Sequence, residues 1–196
     1  MNRFRTLLNL AMIVALALSW LPVTPVAARV APIDPKGLEG ALAPNAPTVL
    51  TWTDGRPADL LLGQPDFASG AAATSQTTTR VTYGVAVDPT TGKVFVADNG
   101  SHRVLRFATA TALLNGAAAE GVLGQADYTS RNANRGSGVA PNTLNYPSGL
   151  HVDSAGRLWV ADASNNRVLR FDNAASKPIG ANADGVLGQI DMYSNA

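Results

Sequence analysis

Two pairs of oppositely charged residues recur in this sequence at one spacing. Asp98 is followed five residues later by Arg103, and Asp162 is followed in the same way by Arg167. Each pair brackets a four-residue turn, so we expect its side chains to meet across a hairpin as an ion pair or turn cap. The alternative role is that of a catalytic acid. Because active sites are usually unique, an acid that occurs in both copies favours the structural role.

The histidines are the other residues that could take part in chemistry. His151 occupies a strand position that Ala86 holds in a matching stretch upstream. Imidazole titrates near neutral pH and ligates metals, so His151 is a candidate binding residue, although a lone histidine is more often packed or hydrogen-bonded. His102 lies in a predicted turn. With no cysteine and only two histidines, we predict no metal site and no cofactor.

Catalytic signatures are absent from the sequence. It contains no G-x-S-x-G, no H-E-x-x-H, no phosphate-binding loop and no D-x-D-x-D-G calcium loop. No catalytic residue is therefore assigned.

The charged pairs lie in a tract that occurs twice, over Tyr83–Phe107 and Ser148–Phe171. Each copy has three short apolar runs separated by turn residues, which predicts a three-stranded antiparallel meander. The first turn of each copy contains an Asp that can bond the backbone ahead and a Gly that can take positive φ.

A shorter motif, Leu-Gly-Gln, follows each meander and also precedes the first one. It falls within Asp59–Phe67, Gly121–Tyr128 and Gly185–Met192. Adding it to the meander gives four strands per unit, which is the content of one propeller blade. We predict an all-β chain with blades over 83–127 and 147–191 and an orphan outer strand over 58–67.

The central strands are apolar on both faces, so we expect the blades to stack face to face as in a β-propeller. Val94–Ala97 and Leu158–Ala161 show no alternation of apolar and polar residues. Two blades cannot close a ring, and an uncovered pair would expose a large apolar surface. The prediction is therefore an incomplete propeller over 58–196, with further blades of the same propeller outside this sequence.

Two long polar inserts, Ala68–Thr82 and Thr129–Tyr146, separate the units and are predicted to be loops. Strand direction places both inserts on the side where the second turns of the meanders emerge. Loops on a rigid scaffold commonly carry recognition. We therefore expect the binding surface on this side, with Arg131, Arg135 and Tyr146 as candidate residues. They are additional to His151, which lies on a strand.

The N-terminal region predicts export. Residues 1–28 combine Arg3 and Arg5 with an apolar run and a small-residue end, as in a secretory signal peptide. Residues 29–57 are rich in proline and predict an extended spacer. We expect a secreted, extracellular protein without membrane attachment after cleavage. Removing two arginines leaves 13 basic against 14 acidic side chains, about −1, which does not favour nucleic acid.

The repeated tract resembles the NHL repeat. The shared pattern is a Gly-apolar-x-apolar-Asp strand, a Gly turn, a strand ending Val-Ala-Asp, and Arg-Val after the next turn. It is carried by Gly84, Asp88, Gly92, Val96, Ala97, Asp98, Arg103 and Val104, and again by Gly149, Asp153, Gly156, Val160, Ala161, Asp162, Arg167 and Val168. The resemblance implies a β-propeller, usually of six blades, in which the first Leu-Gly-Gln strand completes the last blade.

Two functions remain open at this stage. The first is a secreted, non-enzymatic scaffold that binds a protein or carbohydrate partner on the long-insert side. The second is a secreted propeller enzyme of the lyase or lactonase type, since related propellers place metal-binding or proton-transferring side chains around the central channel. His151 would then face that channel.

Overall fold

The computed structural model describes residue 55 and residues 57–195. The predicted signal peptide, 1–28, and nearly all of the predicted spacer, 29–57, lie outside the described residues. Eight strands follow in chain order: β1 Thr82–Val87, β2 Lys93–Asp98, β3 Arg103–Thr109, β4 Gly121–Leu123, β5 Pro147–Val152, β6 Leu158–Asp162, β7 Arg167–Phe171 and β8 Gly185–Leu187. In the described part of the chain, no helix is both long and apolar enough to span a membrane.

The strands form two antiparallel meanders, ordered β1-β2-β3-β4 and β5-β6-β7-β8. We call them the first blade, 82–123, and the second blade, 147–187. Their registers match position by position: Phe95 pairs with Arg106 in the first blade as Trp159 pairs with Arg170 in the second. The prediction of an all-β chain built from two four-stranded blades is confirmed.

The turn between the second and third strands is the same in both blades. A short 3-10 helix, Asn99–Ser101 or Ala163–Asn165, is followed by one residue in the left-handed region, His102 at φ 53° or Asn166 at φ 52°. His and Asn tolerate this conformation better than most residues. The tight turn brings the preceding Asp and the following Arg into register.

The main core lies between the two blades. Phe95 and Leu123 of the first blade pack with Leu144 and with side chains of the second blade; the buried set from that blade is Val152, Leu158, Val160, Leu169, Phe171, Ala174 and Ala183. The backbones also approach closely, since a Cβ at Gly84 would lie 2.4 Å from the carbonyl oxygen of Ser148. Face-to-face stacking of blades is therefore present in this chain.

A second core covers the other face of the first blade. It is built from Val94, Val96, Leu105, Phe107, Ala119 and Val122, and Leu62 packs against it from the N-terminal side. Leu62 and Leu123 are the leucines of two Leu-Gly-Gln motifs. Leu62 thus packs on the first blade in the way that Leu123 packs on the second.

Residues 58–67, the predicted orphan strand, form no strand in the structure. The Leu61 N–H donates to Asn115 Oδ1 (2.9 Å), and the Gly63 carbonyl accepts from the Thr79 N–H (3.0 Å). The physical reason is pairing: a strand needs a neighbouring strand to satisfy its backbone, and the described residues supply none at this edge.

Candidate binding surface

Each Asp–Arg pair is a fully buried ion pair that holds loop backbone. Arg103 Nε donates to Asp98 Oδ2 at 2.9 Å, and both side chains are 0% exposed. The remaining Arg103 donors bond the carbonyls of Ser75 (3.0 Å), Thr78 (2.8 Å) and Tyr128. Burial lowers the pKa of the Arg103 guanidinium, while Asp98 opposes this effect. The pair therefore anchors the first insert to the blade.

The second blade repeats this arrangement. Arg167 Nε lies 2.8 Å from Asp162 Oδ2, and its other donors bond the carbonyls of Ala140, Thr143 and Met192. Asp162 Oδ1 accepts from the Asn145 backbone N–H at 2.6 Å. We call these two buried pairs, with their carbonyl partners, the loop anchors.

The second insert, Thr129–Tyr146, has further bonds along its length. Arg135 donates to the carbonyls of Gln125 (3.0 Å) and Gly180 (2.9 Å), and burial lowers its pKa. Asn134 and Asn165 exchange two amide hydrogen bonds of 3.1 and 2.9 Å. The insert is therefore an ordered surface fixed to both blades.

Tyr146 ends this insert and is fixed by His102 of the first blade. Its N–H donates to His102 Nδ1 at 3.0 Å, and the two rings meet edge to face with centroids 4.4 Å apart. Tyr146 remains 48% exposed, at a φ of 51°. Burial lowers the pKa of His102, against the charges of Asp98 and Asp162, so the neutral, accepting imidazole is favoured.

The four predicted binding residues differ in exposure and in their place in the fold. Arg131 and Tyr146 are exposed on the second insert, whereas Arg135 is half-buried and bonded to backbone carbonyls. His151 is exposed on β5, in register with Trp159. Within the described ranges, no hydrogen bond, ion pair or ring contact joins any two of these four residues. Their roles in binding stay predictions.

The alternative of an enzyme with a channel site also stays a prediction, with His151 as its candidate residue. Among residues 55 and 57–195, no group of three or more His, Cys, Asp or Glu side chains is arranged to hold a metal ion.

Sequence reasoning missed one buried polar residue that positions the second insert. Gln125 of the Leu-Gly-Gln motif is completely buried, and its Nε2 donates to the carbonyls of Ser101, His102 and Asn132. It joins the turn of the first blade to the second insert. The signal was available, because the motif occurs three times and the glutamine is polar amid apolar residues.

Comparisons with known proteins agree with this architecture. The NHL repeat model matches residues 84–107 and 144–171. The human NHL repeat-containing protein 3 is 43% identical over 44 residues, which are 22% of this chain and 13% of that protein. The chain thus matches only a small part of that relative's length.

Two solved structures are similar to the chain. One, described as a luciferin-regenerating enzyme, has 18% identity and a TM-score of 0.39, covering 61% of this chain and 33% of that one. The other, a streptogramin B lyase, has 20% identity and a TM-score of 0.30, covering 47% of this chain and 23% of that one.

The repeat matches, together with the two four-stranded blades, define the class as an NHL-repeat fold of the propeller type. The two repeat matches and the human relative support an NHL-repeat family for this chain.

Proposed function

We propose that this chain is an exported scaffold that binds a protein or carbohydrate partner through the side carrying its long inserts. The observation that carries the proposal is the fixed conformation of the second insert. The Arg167 anchor, the Asn134–Asn165 pair and the His102–Tyr146 contact hold it at three places. Arg131 and Tyr146 remain exposed on the insert.

An ordered loop is better suited to binding than a mobile one, because less conformational entropy is lost when the partner binds. Tyrosine and arginine are enriched at protein interfaces. The Tyr146 ring has an exposed surface and a fixed orientation, since His102 packs against it. These properties support Arg131 and Tyr146 as contact residues.

The proposed partner is not nucleic acid. Residues 29–196 have 13 basic and 14 acidic side chains, and the Arg103 and Arg167 charges are buried in the loop anchors. Nucleic-acid binding depends on concentrated, accessible cations that displace counterions from phosphates.

The test uses the whole chain with an Arg131→Ala, Tyr146→Asn double variant, since Asn accepts the positive φ of position 146. The matched control is Arg157→Ala, Tyr83→Asn, which removes a partly exposed arginine and an exposed tyrosine outside the inserts. Binding is measured on a glycan array and with a displayed peptide library. We expect at least tenfold weaker binding in the first variant and unchanged binding in the control. Unchanged binding in both, or equal loss in both, would overturn the proposal.

A further inference from the structure

A cavity of about 490 Å³ lies at the first turns of the two blades, which the antiparallel strand order places at the end opposite the second turns and the inserts. Its walls are the first turn of each blade and the segment Asn173–Ser176, so both blades build it. A single repeat would not contain it. Its volume is within the range of about 300–1,000 Å³ that is typical of small-molecule sites.

The cavity walls are fixed by hydrogen bonds within the chain. Asp88 accepts from the Thr90 N–H at 2.8 Å and from the Thr91 hydroxyl at 2.7 Å. Burial opposes ionisation of Asp88, but these bonds outweigh it and keep its pKa below the usual value. On the other wall, Ala174 N–H donates to the Gly156 carbonyl at 3.2 Å, which joins the segment to the turn. The cavity is therefore formed before any ligand enters.

The two charged side chains at the cavity already have hydrogen-bond or ion-pair partners within the chain. Of the residues that line it, only Asp88 and Lys93 are charged. Asp88 is 1% exposed and bonded within its own turn, and the Lys93 ammonium pairs with Glu120. An ionic ligand would have to compete with these partners, so the lining favours a neutral molecule.

Three solvent-exposed polar groups at the cavity make no hydrogen bond within the described residues and are open to a ligand: the Thr90 hydroxyl, the Ser154 hydroxyl and the Asn173 amide. They come from three separate segments around one cavity. Hydroxyl and amide groups both donate and accept hydrogen bonds, as do the hydroxyls of a sugar. The methyl groups of Ala155 and Ala175 add apolar contact for the carbon skeleton of such a ligand.

We propose that this cavity, formed where the first turns of the two blades meet, binds a neutral polyhydroxylated molecule of mono- or disaccharide size. This site is separate from the insert surface and needs neither Arg131 nor Tyr146.

The test follows backbone amide signals of the whole chain by NMR during titration with glucose, sucrose and, as an anionic comparison, inorganic phosphate. Ala155→Phe fills the cavity from an exposed turn position, and Ala72→Phe is the matched control in the first insert. We expect saturable shifts at Thr90, Ser154 and Ala175 with a sugar, weakened at least tenfold by Ala155→Phe and unchanged by Ala72→Phe.

Two results would overturn the proposal. One is the absence of saturable shifts at these residues with either sugar while the chain is folded. The other is binding of phosphate in preference to the sugars, because it would contradict the neutral character assigned to the ligand. Loss of insert binding in the Arg131, Tyr146 variant would leave the sugar shifts unaffected, so the two proposals fail independently.

Discussion

The first and second blades share their strand order and register, yet equivalent side chains have different surroundings. Leu123 of β4 is 3% exposed, whereas Leu187 of β8 is 55% exposed. Phe95 is completely buried, whereas its counterpart Trp159 is half-buried and has Arg157 and Arg170 about 6 Å from its ring. The second blade covers one face of the first, and the described residues place no further sheet on the matching face of the second.

The comparison shows which features belong to a repeat and which belong to a junction between repeats. The loop anchors occur in both blades with the same bonds, so they belong to the repeat. The burial of the Leu-Gly-Gln leucine differs between the blades. This burial therefore depends on contact with a neighbouring blade and not on the repeat itself. The His102–Tyr146 contact crosses the junction too, while the equivalent Asn166 bonds the Asn195 carbonyl.

The largest expected effect comes from breaking a loop anchor. Asp162→Ala would leave the buried Arg167 charge without its partner and should lower the free energy of unfolding by about 3–5 kcal/mol. Asp98→Ala should cost a similar amount, because the first anchor has the same geometry. The measurement is urea unfolding of the whole chain.

Arg157→Ala is the control for this prediction. Its pair with Asp153 is partly exposed, with 44% of the arginine side chain accessible, so its loss should cost no more than about 1 kcal/mol. Equal effects of Asp162→Ala and Arg157→Ala would show that the buried anchors do not stabilise the blades.

The next largest effect is expected on stability when the leucine of the Leu-Gly-Gln motif is replaced in each blade. Leu123→Ala should destabilise by about 2–5 kcal/mol, because it leaves a cavity in the core between the blades. Leu187→Ala should change stability by about 0.5 kcal/mol or less if position 187 stays exposed. Equal losses in thermal or urea unfolding would mean that Leu187 is covered in solution, and the contrast between the blades would be wrong.

A smaller effect concerns pH. Burial lowers the pKa of His102 in the folded protein below its ordinary value of 6.5. Above that value both folded and unfolded states hold a neutral imidazole, and the stabilisation is complete. As the pH falls below it, the unfolded state takes up the proton first, so stability declines.

His102→Asn, which installs the residue found in the second blade, should remove this part of the pH dependence. His151→Asn is the control and should leave it in place, because the His102–Tyr146 bond persists. The measurement is the free energy of unfolding from pH 7.5 to pH 5, taken in steps of about half a pH unit. An unchanged slope in His102→Asn would contradict the role assigned to this contact.

The blade structure could be predicted because the sequence contains the same strand and turn pattern twice. Apolar runs, turn glycines and the Asp–Arg spacing recur, and each copy supports the same four strands. The binding residues were harder to place. Arg135 is bonded to Gly180, 45 residues away in sequence, and no local pattern reveals such a partner. Leu123 and Leu187 lie in identical Gly-Val-Leu-Gly-Gln segments, so sequence alone could not distinguish their burial.

The N-terminal Leu-Gly-Gln segment illustrates a second limit. Its sequence matches β4 and β8, but residues 58–67 form no strand, since strand formation depends on a partner as well as on side chains. Leu62 nevertheless packs on the first blade. The predicted pairing of this segment with the last blade stays a prediction, because that blade lies outside this sequence.

Amide hydrogen exchange of the whole chain would show whether the second insert is an ordered surface. The Asn145 N–H bonds Asp162, the Tyr146 N–H bonds His102, and the Asn134 N–H bonds the Leu144 carbonyl. We predict that these three amides exchange far more slowly than exposed amides such as that of Gly138, and that His102→Asn speeds exchange at Tyr146 alone. Exchange of all three at the rate of unstructured chain would show that the insert is mobile, and the proposed binding surface would lose its basis.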